Sequence, residues 1–275
     1  MSLLFGTAGI PLSTEPRDTI RGIERVRELG LDAMELEFVQ SVNVSEQKAP
    51  EVKAAAKKHG VTLSCHAPYY VNLNAVEEDK KEASIQRILL SARRLDQCGG
   101  GSVVFHPGFY LKDTPQKTYE NIRNTLKNIS AAATDEGLNV TLRPETTGKA
   151  KQFGSLTELL QISAEFDNVL PCVDFSHLHA RSGGKFNTEQ EWEAVVSAVK
   201  DALGSRALSS FHAHLSGIAY GDKGEKNHLL LDESDMQYPI LLKILKTHNI
   251  SGVVVCESPN IEGDALLLKR TYEKL

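Results

Sequence analysis

The chain has 275 residues, a formal net charge of −5, and is 41% hydrophobic and 24% charged, the balance of a protein that buries a sizeable core without staples. The charge argues against nucleic-acid binding by overall positive charge alone, yet leaves room for a local basic rim or for bound metal ions. No apolar run approaches the roughly 20 residues of a membrane span, and the opening MSLLFGTAGIPLSTEP lacks the basic segment and long apolar stretch of a secretory signal, so a cytoplasmic protein without membrane contact is expected.

Short apolar runs rich in β-formers alternate along the chain with longer stretches of helical periodicity. The first run, 3–7, precedes a helix expected from Ser13 or Thr14 to the stop at Gly30. A second run, 33–39, is followed by a helix over 49–59 that Gly60 ends; a third, 61–67, by a long helix over 75–97; and a fourth, 102–105, by a helix over 115–136. The second half repeats the alternation, with strands expected at 139–144, 169–175, 208–215 and 252–256 and helices at 155–166, 188–203, 234–248 and 262–274. Eight strands, each followed by a helix and with no linker or low-complexity break, predict an α/β chain folded as one (β/α)8 TIM barrel domain over residues 1–275. An open doubly wound sheet is the alternative, and no G-x-G-x-x-G follows the first strand to support it. Cys65, Cys98, Cys172 and Cys256 are widely spaced, form no C-x-x-C pair, and read as buried reduced thiols.

Such a barrel gathers the C-terminal ends of its strands on one face, where catalytic residues sit. Six consecutive strands finish in ligand-type residues: Cys65-His66, His106-Pro107, Arg143-Pro144-Glu145, Asp174-Phe175-Ser176-His177, His212-Ala213-His214 and Glu257-Ser258-Pro259. After the seventh strand the polar loop GIAYGDKGEKNH adds Asp222, Glu225 and His228. Each has a bland reading alone: a strand-end histidine is usually a hydrogen-bonded surface residue, a lone glutamate is usually solvated, and Asp174 can simply cap a helix. His212 and His214 share strand parity, so both can face the barrel interior, one of them behind the other. The joint pattern weighs differently, because only His59 and His248 fall at helix C-termini and the other seven histidines fall on the predicted loop face. Imidazoles and carboxylates without cysteine suit Zn²⁺, Mn²⁺ or Fe²⁺ better than Mg²⁺ or Ca²⁺. His66, His106, Glu145, Asp174, His177, His214, His228 and Glu257, with Glu225 or Asp222 as a ninth, outnumber the ligands of one ion and imply two or three. Glu35 and Glu37 share parity on the second strand, and as buried carboxylates would need partners, Arg143 or the metal cluster; a solvated position on the loop face is the other reading.

In CHAPYYVNL, FHPG, RPETTG, DFSH, HAHLSG, KGEKNH and CESPN, in that order and spacing, the chain resembles endonuclease IV, the zinc-dependent apurinic/apyrimidinic endonuclease family of the xylose-isomerase-like barrels, and most of all its shorter archaeal branch. The resemblance implies three Zn²⁺ ions, Mn²⁺ or Fe²⁺ being alternatives. Glu145 would bridge two of them; His66 and His106 would complete the first, Asp174, His214 and Glu257 the second, and His177, His228 and a carboxylate the third. The family carries that carboxylate in Asp-x-His; here two residues separate Glu225 from His228, so Glu225 is the first choice and Asp222 the second. Tyr69 matches an aromatic that contacts DNA near the lesion. In FGTAGIP, Gly6 and Gly9 read either as a close backbone approach to DNA, Gly6 being the candidate, or as a plain turn. The implied reaction is hydrolysis of the phosphodiester bond 5′ to an abasic site, with Glu145 as the catalytic residue that orients the nucleophile, leaving a 3′-hydroxyl and a 5′-deoxyribose phosphate. The implied partner is double-stranded DNA containing an abasic site, bound by a monomer. A sugar isomerase or epimerase of the same superfamily, with one metal held by Glu145, Asp174, His214 and Glu257, is the rival reading; it leaves His66, His106 and His228 without a purpose. A non-catalytic DNA-binding barrel is a second rival and predicts missing ligands.

Overall fold

The computed structural model describes residues 2–275. In chain order it forms β1 (Leu3–Ala8), α1 (Thr19–Glu28), β2 (Ala33–Glu37), α2 (Ala49–His59), β3 (Thr62–His66), α3 (Glu78–Gln97), β4 (Ser102–Phe105), β5 (Gly108–Phe109), α4 (Pro115–Asp135) and β6 (Thr141–Pro144). It continues with β7 (Gln152–Phe153), α5 (Leu156–Ser163), β8 (Val173–Asp174), α6 (Phe175–Arg181), α7 (Glu189–Ser209), β9 (Phe211–Leu215), β10 (Gly217–Gly221), β11 (Gly224–Leu229), a 3₁₀ turn (Leu231–Glu233), α8 (Tyr238–Thr247), β12 (Gly252–Cys256) and α9 (Glu262–Lys274).

Eight of these strands form one sheet in the order β6-β4-β3-β2-β1-β12-β9-β8, every pair parallel. Its two edges meet through parallel bridges, Leu142 with Val169 and Glu145 with Cys172, reinforced where the Leu170 N–H donates to the Leu142 carbonyl and the Cys172 N–H to that of Pro144. The result is the expected (β/α)8 barrel. Its strands are apolar runs because both faces are covered: Val103, Val104 and Phe105 of β4, and Val254 and Val255 of β12, are all buried. The helices bury one stripe each, as in α4, where Thr118, Ile122, Thr125, Leu126, Ile129 and Ala133 turn inward at helical spacing. The four cysteines are buried and unpaired. No helix among the described residues is long and apolar enough to cross a membrane.

The elements depart from expectation where side chains from distant segments intervene. Helix α1 begins at Thr19, not near Ser13; the segment before it is held by the Glu262 carboxylate, which accepts from the backbone N–H groups of Leu12 and Ser13. Asp18 is the cap instead, accepting from Ile20 and Arg21. Helix α7 runs past its expected end through a non-helical Gly204 (φ 69°, ψ −165°), so β9 starts at Phe211 and not at 208. The polar loop after β9 is an antiparallel hairpin, β10–β11, and β5 pairs with β7 as a second small antiparallel sheet.

The parallel register sets up the site. Neighbours in the ladder include Glu37 with His66, His66 with Val104, and Asp174 with His214. The strand ends therefore finish at the same level and present their terminal side chains to one mouth.

Candidate metal centre

Glu145 lies at the middle of that mouth, just beyond β6, with its side chain 1% exposed. Its Oε2 stands 3.1 Å from His66 Nε2 and 3.0 Å from His106 Nε2. Its Oε1 stands 3.2 Å from His177 Nδ1 and 3.4 Å from His214 Nδ1. Three sets of ligand atoms each fall within 4.8 Å of one another: His66, His106 and Glu145; Glu145, Asp174, His214 and Glu257; His177, Glu225 and His228. All nine residues named from the sequence, with Glu225 as the ninth, are thus brought together, and Glu145 belongs to two sets.

The outward ring nitrogens are committed to the protein. His66 Nδ1 faces the Ala67 carbonyl at 2.7 Å, His177 Nδ1 that of Thr146 at 2.9 Å, and His228 Nδ1 that of Glu257 at 3.1 Å. A carbonyl only accepts, so in the neutral rings the proton sits on Nδ1 and Nε2 keeps a lone pair. The Nε2 of His66 then meets a carboxylate oxygen at 3.1 Å, a contact that needs either a shared proton or a shared cation between the two atoms. Separations near 3 Å between two such atoms suit donors that share a cation, since ligands about 2.0–2.2 Å from one tetrahedral ion lie roughly 3.3 Å apart.

Unmet polar atoms make the same point. Glu145 Oε1, Asp174 Oδ2, Glu257 Oε2 and both ring nitrogens of His214 are buried without a hydrogen-bond partner among the described residues, and such atoms are costly unless something compensates them. The electrostatics record the crowding. Burial, with the charges of Glu257 and Glu145, outweighs His177 and His214 and pushes the Asp174 carboxyl up to about 7. Burial alone would disfavour a charged His66, yet the hydrogen bond and charge of Glu145, with Glu37 and Glu35 beyond, raise it to about 9. Burial opposes the charge on Glu257 too, and His214 with His228 brings it down to about 2. A cluster that must recruit protons to stay buried has the donor set and the charge for divalent cations.

Asp174 serves twice. Its Oδ1 accepts from the His177 backbone N–H at 2.7 Å and caps α6, while its Oδ2 stands 3.1 Å from His177 Nδ1. The capping role and the ligand position are therefore compatible.

The hairpin settles which carboxylate approaches His177. In β11, Asn227 pairs with Ala219 but Glu225 pairs with Tyr220, so Lys226 is an extra residue and the register shifts there. This bulge cancels one residue of spacing and returns Glu225 to the face that carries His228. Gly148 makes the room: a Cβ there would lie 2.6 Å from Glu225 Cβ and 3.0 Å from His177 Cδ2. The Glu225 N–H also donates to the Gly148 carbonyl at 3.0 Å. Asp222 is exposed near the hairpin tip and belongs to none of the three sets.

Two sequence-named contacts separate. Tyr69 is 60% exposed and meets His66 edge-on at 5.7 Å, which leaves it on the rim of the mouth. Gly6 is buried inside β1, and a Cβ there would strike the Ala33 backbone. Its lack of a side chain serves strand packing, so the expectation that it meets a substrate does not hold.

Beneath the ligands lies a layer that the sequence only hinted at. Glu35 is fully buried and accepts from Ser64 Oγ at 2.7 Å, with His212 Nε2 at 3.0 Å. Arg143 is not its partner; the guanidinium turns away to the Ser210 carbonyl and hydroxyl and to Ser102. Glu37 has a buried, unpartnered Oε1, and burial together with the Glu35 charge pushes it up to about 8. Cys172 approaches His212 and His214 closely enough to form a fourth set, but burial holds its thiol protonated and Glu35 already faces both imidazoles. The matched parity of Glu35, Glu37, His212 and His214 was the available signal.

Residues 23–273 match the family model described as xylose isomerase-like TIM barrel. An uncharacterized protein of Methanocaldococcus jannaschii is 46% identical over 273 residues, 99% of this chain and 98% of that protein. A probable endonuclease 4 of Halorhodospira halophila is 26% identical over 223 residues, 76% of this chain and 74% of its own length. Among solved structures, endonuclease IV from Thermus thermophilus superposes with a TM-score of 0.76 at 19% identity, over 98% of both chains. A D-tagatose 3-epimerase-like protein superposes with a TM-score of 0.74 at 20% identity, over 98% of this chain and 96% of that one. At those identities the two structures establish the fold alone.

Proposed function

The chain belongs to the xylose isomerase-like TIM barrel family, and from that premise we propose that it is an apurinic/apyrimidinic endonuclease of the endonuclease IV kind, which hydrolyses DNA 5′ to an abasic site. One observation carries the reading: His66, His106, His177 and His228 stand around the quartet Glu145, Asp174, His214 and Glu257, in three sets, two of which share Glu145. A barrel that isomerises sugars with one ion needs the quartet and no more.

His66 and His106 would hold one ion with Glu145, Asp174, His214 and Glu257 a second with the same carboxylate, and His177, Glu225 and His228 a third. The donors suit Zn²⁺, with Mn²⁺ or Fe²⁺ as alternatives. When bound, such ions lower the pKa of water and draw off charge from a phosphodiester. The chain's own residues do the rest. Glu145, held between histidines from four elements, orients the attacking water and is the catalytic residue. Tyr69 at the rim offers a ring to a nucleotide beside the lesion. An abasic nucleotide has no base to unpair, so extruding it into the mouth is cheap. Lys149, Lys151, Lys223 and Lys226 line a groove that opens beside Glu225, a local basic rim suited to a phosphate backbone despite the negative net charge. A monomer made of this one barrel suffices for the reaction.

The epimerase reading keeps one observation in its favour, the intact quartet on a fold shared with a D-tagatose 3-epimerase-like protein. Incubation with a synthetic abasic duplex, with and without chelator, separates the two. We expect cleavage that the chelator abolishes, and Glu145→Ala should fold but fail to cut. A content near one ion per chain, or normal cutting by Glu145→Ala, would overturn the assignment.

A further inference from the structure

His214 differs from the other histidines of the cluster in what stands behind it. Backbone carbonyls face the rear nitrogens of His66, His177 and His228, whereas Glu35 Oε1 stands 2.9 Å from His214 Nε2. Both groups are completely buried, and apart from this close approach neither Glu35 Oε1 nor His214 Nε2 has a partner among the described residues, the two atoms lying at contact distance without full hydrogen-bond alignment. The other oxygen of Glu35 is anchored twice, by Ser64 Oγ and His212 Nε2. Ser64 lies directly across the ladder from Glu35, and His212 lies two residues before His214 on β9. The carboxylate therefore spans the barrel interior from β2 to β9, with one oxygen fixed and the other offered to a single imidazole.

We propose that Glu35 is the positioning residue of His214. It keeps the proton of that ring on Nε2 and turns the Nδ1 lone pair toward Glu145, Asp174 and Glu257. A carboxylate behind a ligand histidine fixes its tautomer and orientation and raises its basicity more than a carbonyl does. The second ion would then be the one whose ligand is contacted directly by a buried carboxylate lying outside the ligand shell. Glu35 touches neither substrate nor metal, and it acts through His214 only. The inference rests on His214 serving as a metal ligand, as proposed above.

The test is Co²⁺ titration of the metal-free wild type, Glu35→Gln and Ser64→Ala, followed by visible absorption and by Zn²⁺ competition against a chromophoric chelator. Glu35→Gln preserves shape and removes the charge. It should weaken one ion by about 10–100-fold and alter that ion's Co²⁺ spectrum, while the remaining ions bind as in the wild type. Ser64→Ala loosens one anchor and should weaken the same ion by a few fold. Wild-type affinity and spectrum in Glu35→Gln would overturn the proposal, and so would equal weakening of every ion, the mark of a merely structural role. Should Glu35→Gln not fold, Ser64→Ala decides, and an unchanged affinity and spectrum there would overturn it. The measurement reads metal alone, so it judges Glu35 whether or not the wild type cuts abasic DNA.

Discussion

The two ends of the candidate metal face are built by different means. His66, His106 and Glu145 leave three neighbouring strands of a parallel barrel, β3, β4 and β6, each held on both sides by a hydrogen-bonded ladder. Across the mouth, His177 sits in the first turn of α6, and Glu225 and His228 ride on the hairpin β10–β11, which pairs with no barrel strand. A two-stranded hairpin is marginal by itself, so its position depends on ties to the rest of the fold, among them Gly148 under Glu225, the Glu257 carbonyl behind His228, Ser234 against the Ile218 backbone, and Tyr220, whose hydroxyl donates to Asp235 at 2.6 Å. Exposure does not follow construction: Glu145 is 1% and Glu225 16% exposed, but His106 on the strand side is 27% and His177 on the hairpin side 4%. Strand ends place ligands by the regularity of the ladder; the hairpin places them by a bulge and by contacts made one at a time. The ion on the hairpin side should therefore be the first to leave.

Glu225→Gln gives the sharpest contrast. It should weaken one ion at least ~100-fold, beyond what loss of an outer partner costs, and lower cleavage by a comparable factor. Asp222→Asn should stay within about twofold of the wild type. Metal content and single-turnover cleavage of an abasic duplex check both. Equal effects would mean that the hairpin shifts its register in solution and that the bulge at Lys226 is not fixed.

Removing the metal tests the strand-borne end. In the metal-free chain, burial and the Glu35 charge raise Glu37 from 4.5 to about 8. Burial works against a charged His66, but Glu145 outweighs it and lifts the ring from 6.5 to about 9. A group whose folded pKa lies above its unfolded value favours folding below the unfolded pKa and loses that contribution as pH climbs through the folded one. The Glu37 contribution therefore fades between about pH 4.5 and 8, and that of His66 between about 6.5 and 9. Across the upper window the metal-free chain should lose roughly 5 °C or more in Tm. The metal-loaded chain should hold its Tm there, because the cations replace the protons. Thermal melts with and without chelator read the difference; parallel curves would mean that the carboxylates at this end are relieved by something other than protons or cations.

The smallest effect is expected from Tyr220→Phe, which removes a tie of the hairpin and no ligand. Loss of one hydrogen bond worth about 1 kcal/mol should loosen the hairpin-side ion about fivefold and leave the ions around Glu145 unchanged. Weakening of all ions alike would show that the two ends are one rigid unit and would erase the distinction drawn between them.

Much of this site was legible before any fold was known. Alternating β-rich and helical periods located eight strands. Because parallel strands of a barrel all point one way, His66, His106, Glu145, Asp174, His214 and Glu257 had to share a face once they were seen to end those strands. Position along a strand is a local property, written in period-two alternation and in the Pro-Gly and Gly punctuation that follows. The parity of Glu35 with Glu37 was visible for the same reason, though Arg143 as a partner was not confirmed.

The architecture and the inventory of ligand-type residues on one face are thus written locally along the chain. Choices between near-equivalents are made elsewhere, by contacts across the fold. Glu225, and not Asp222, comes beside His177 and His228 because of a bulge at Lys226 and a missing Cβ at Gly148, far away in the chain. Gly6 gives its space to the backbone of Ala33 and not to a substrate, and the segment before α1 is tied to Glu262 at the other end of the chain. Glu35 becomes the backing of His214 only when β2 and β9 face each other across the interior. Each of these is a contact between separate segments, and no local period or propensity encodes which of two eligible side chains a distant neighbour will meet.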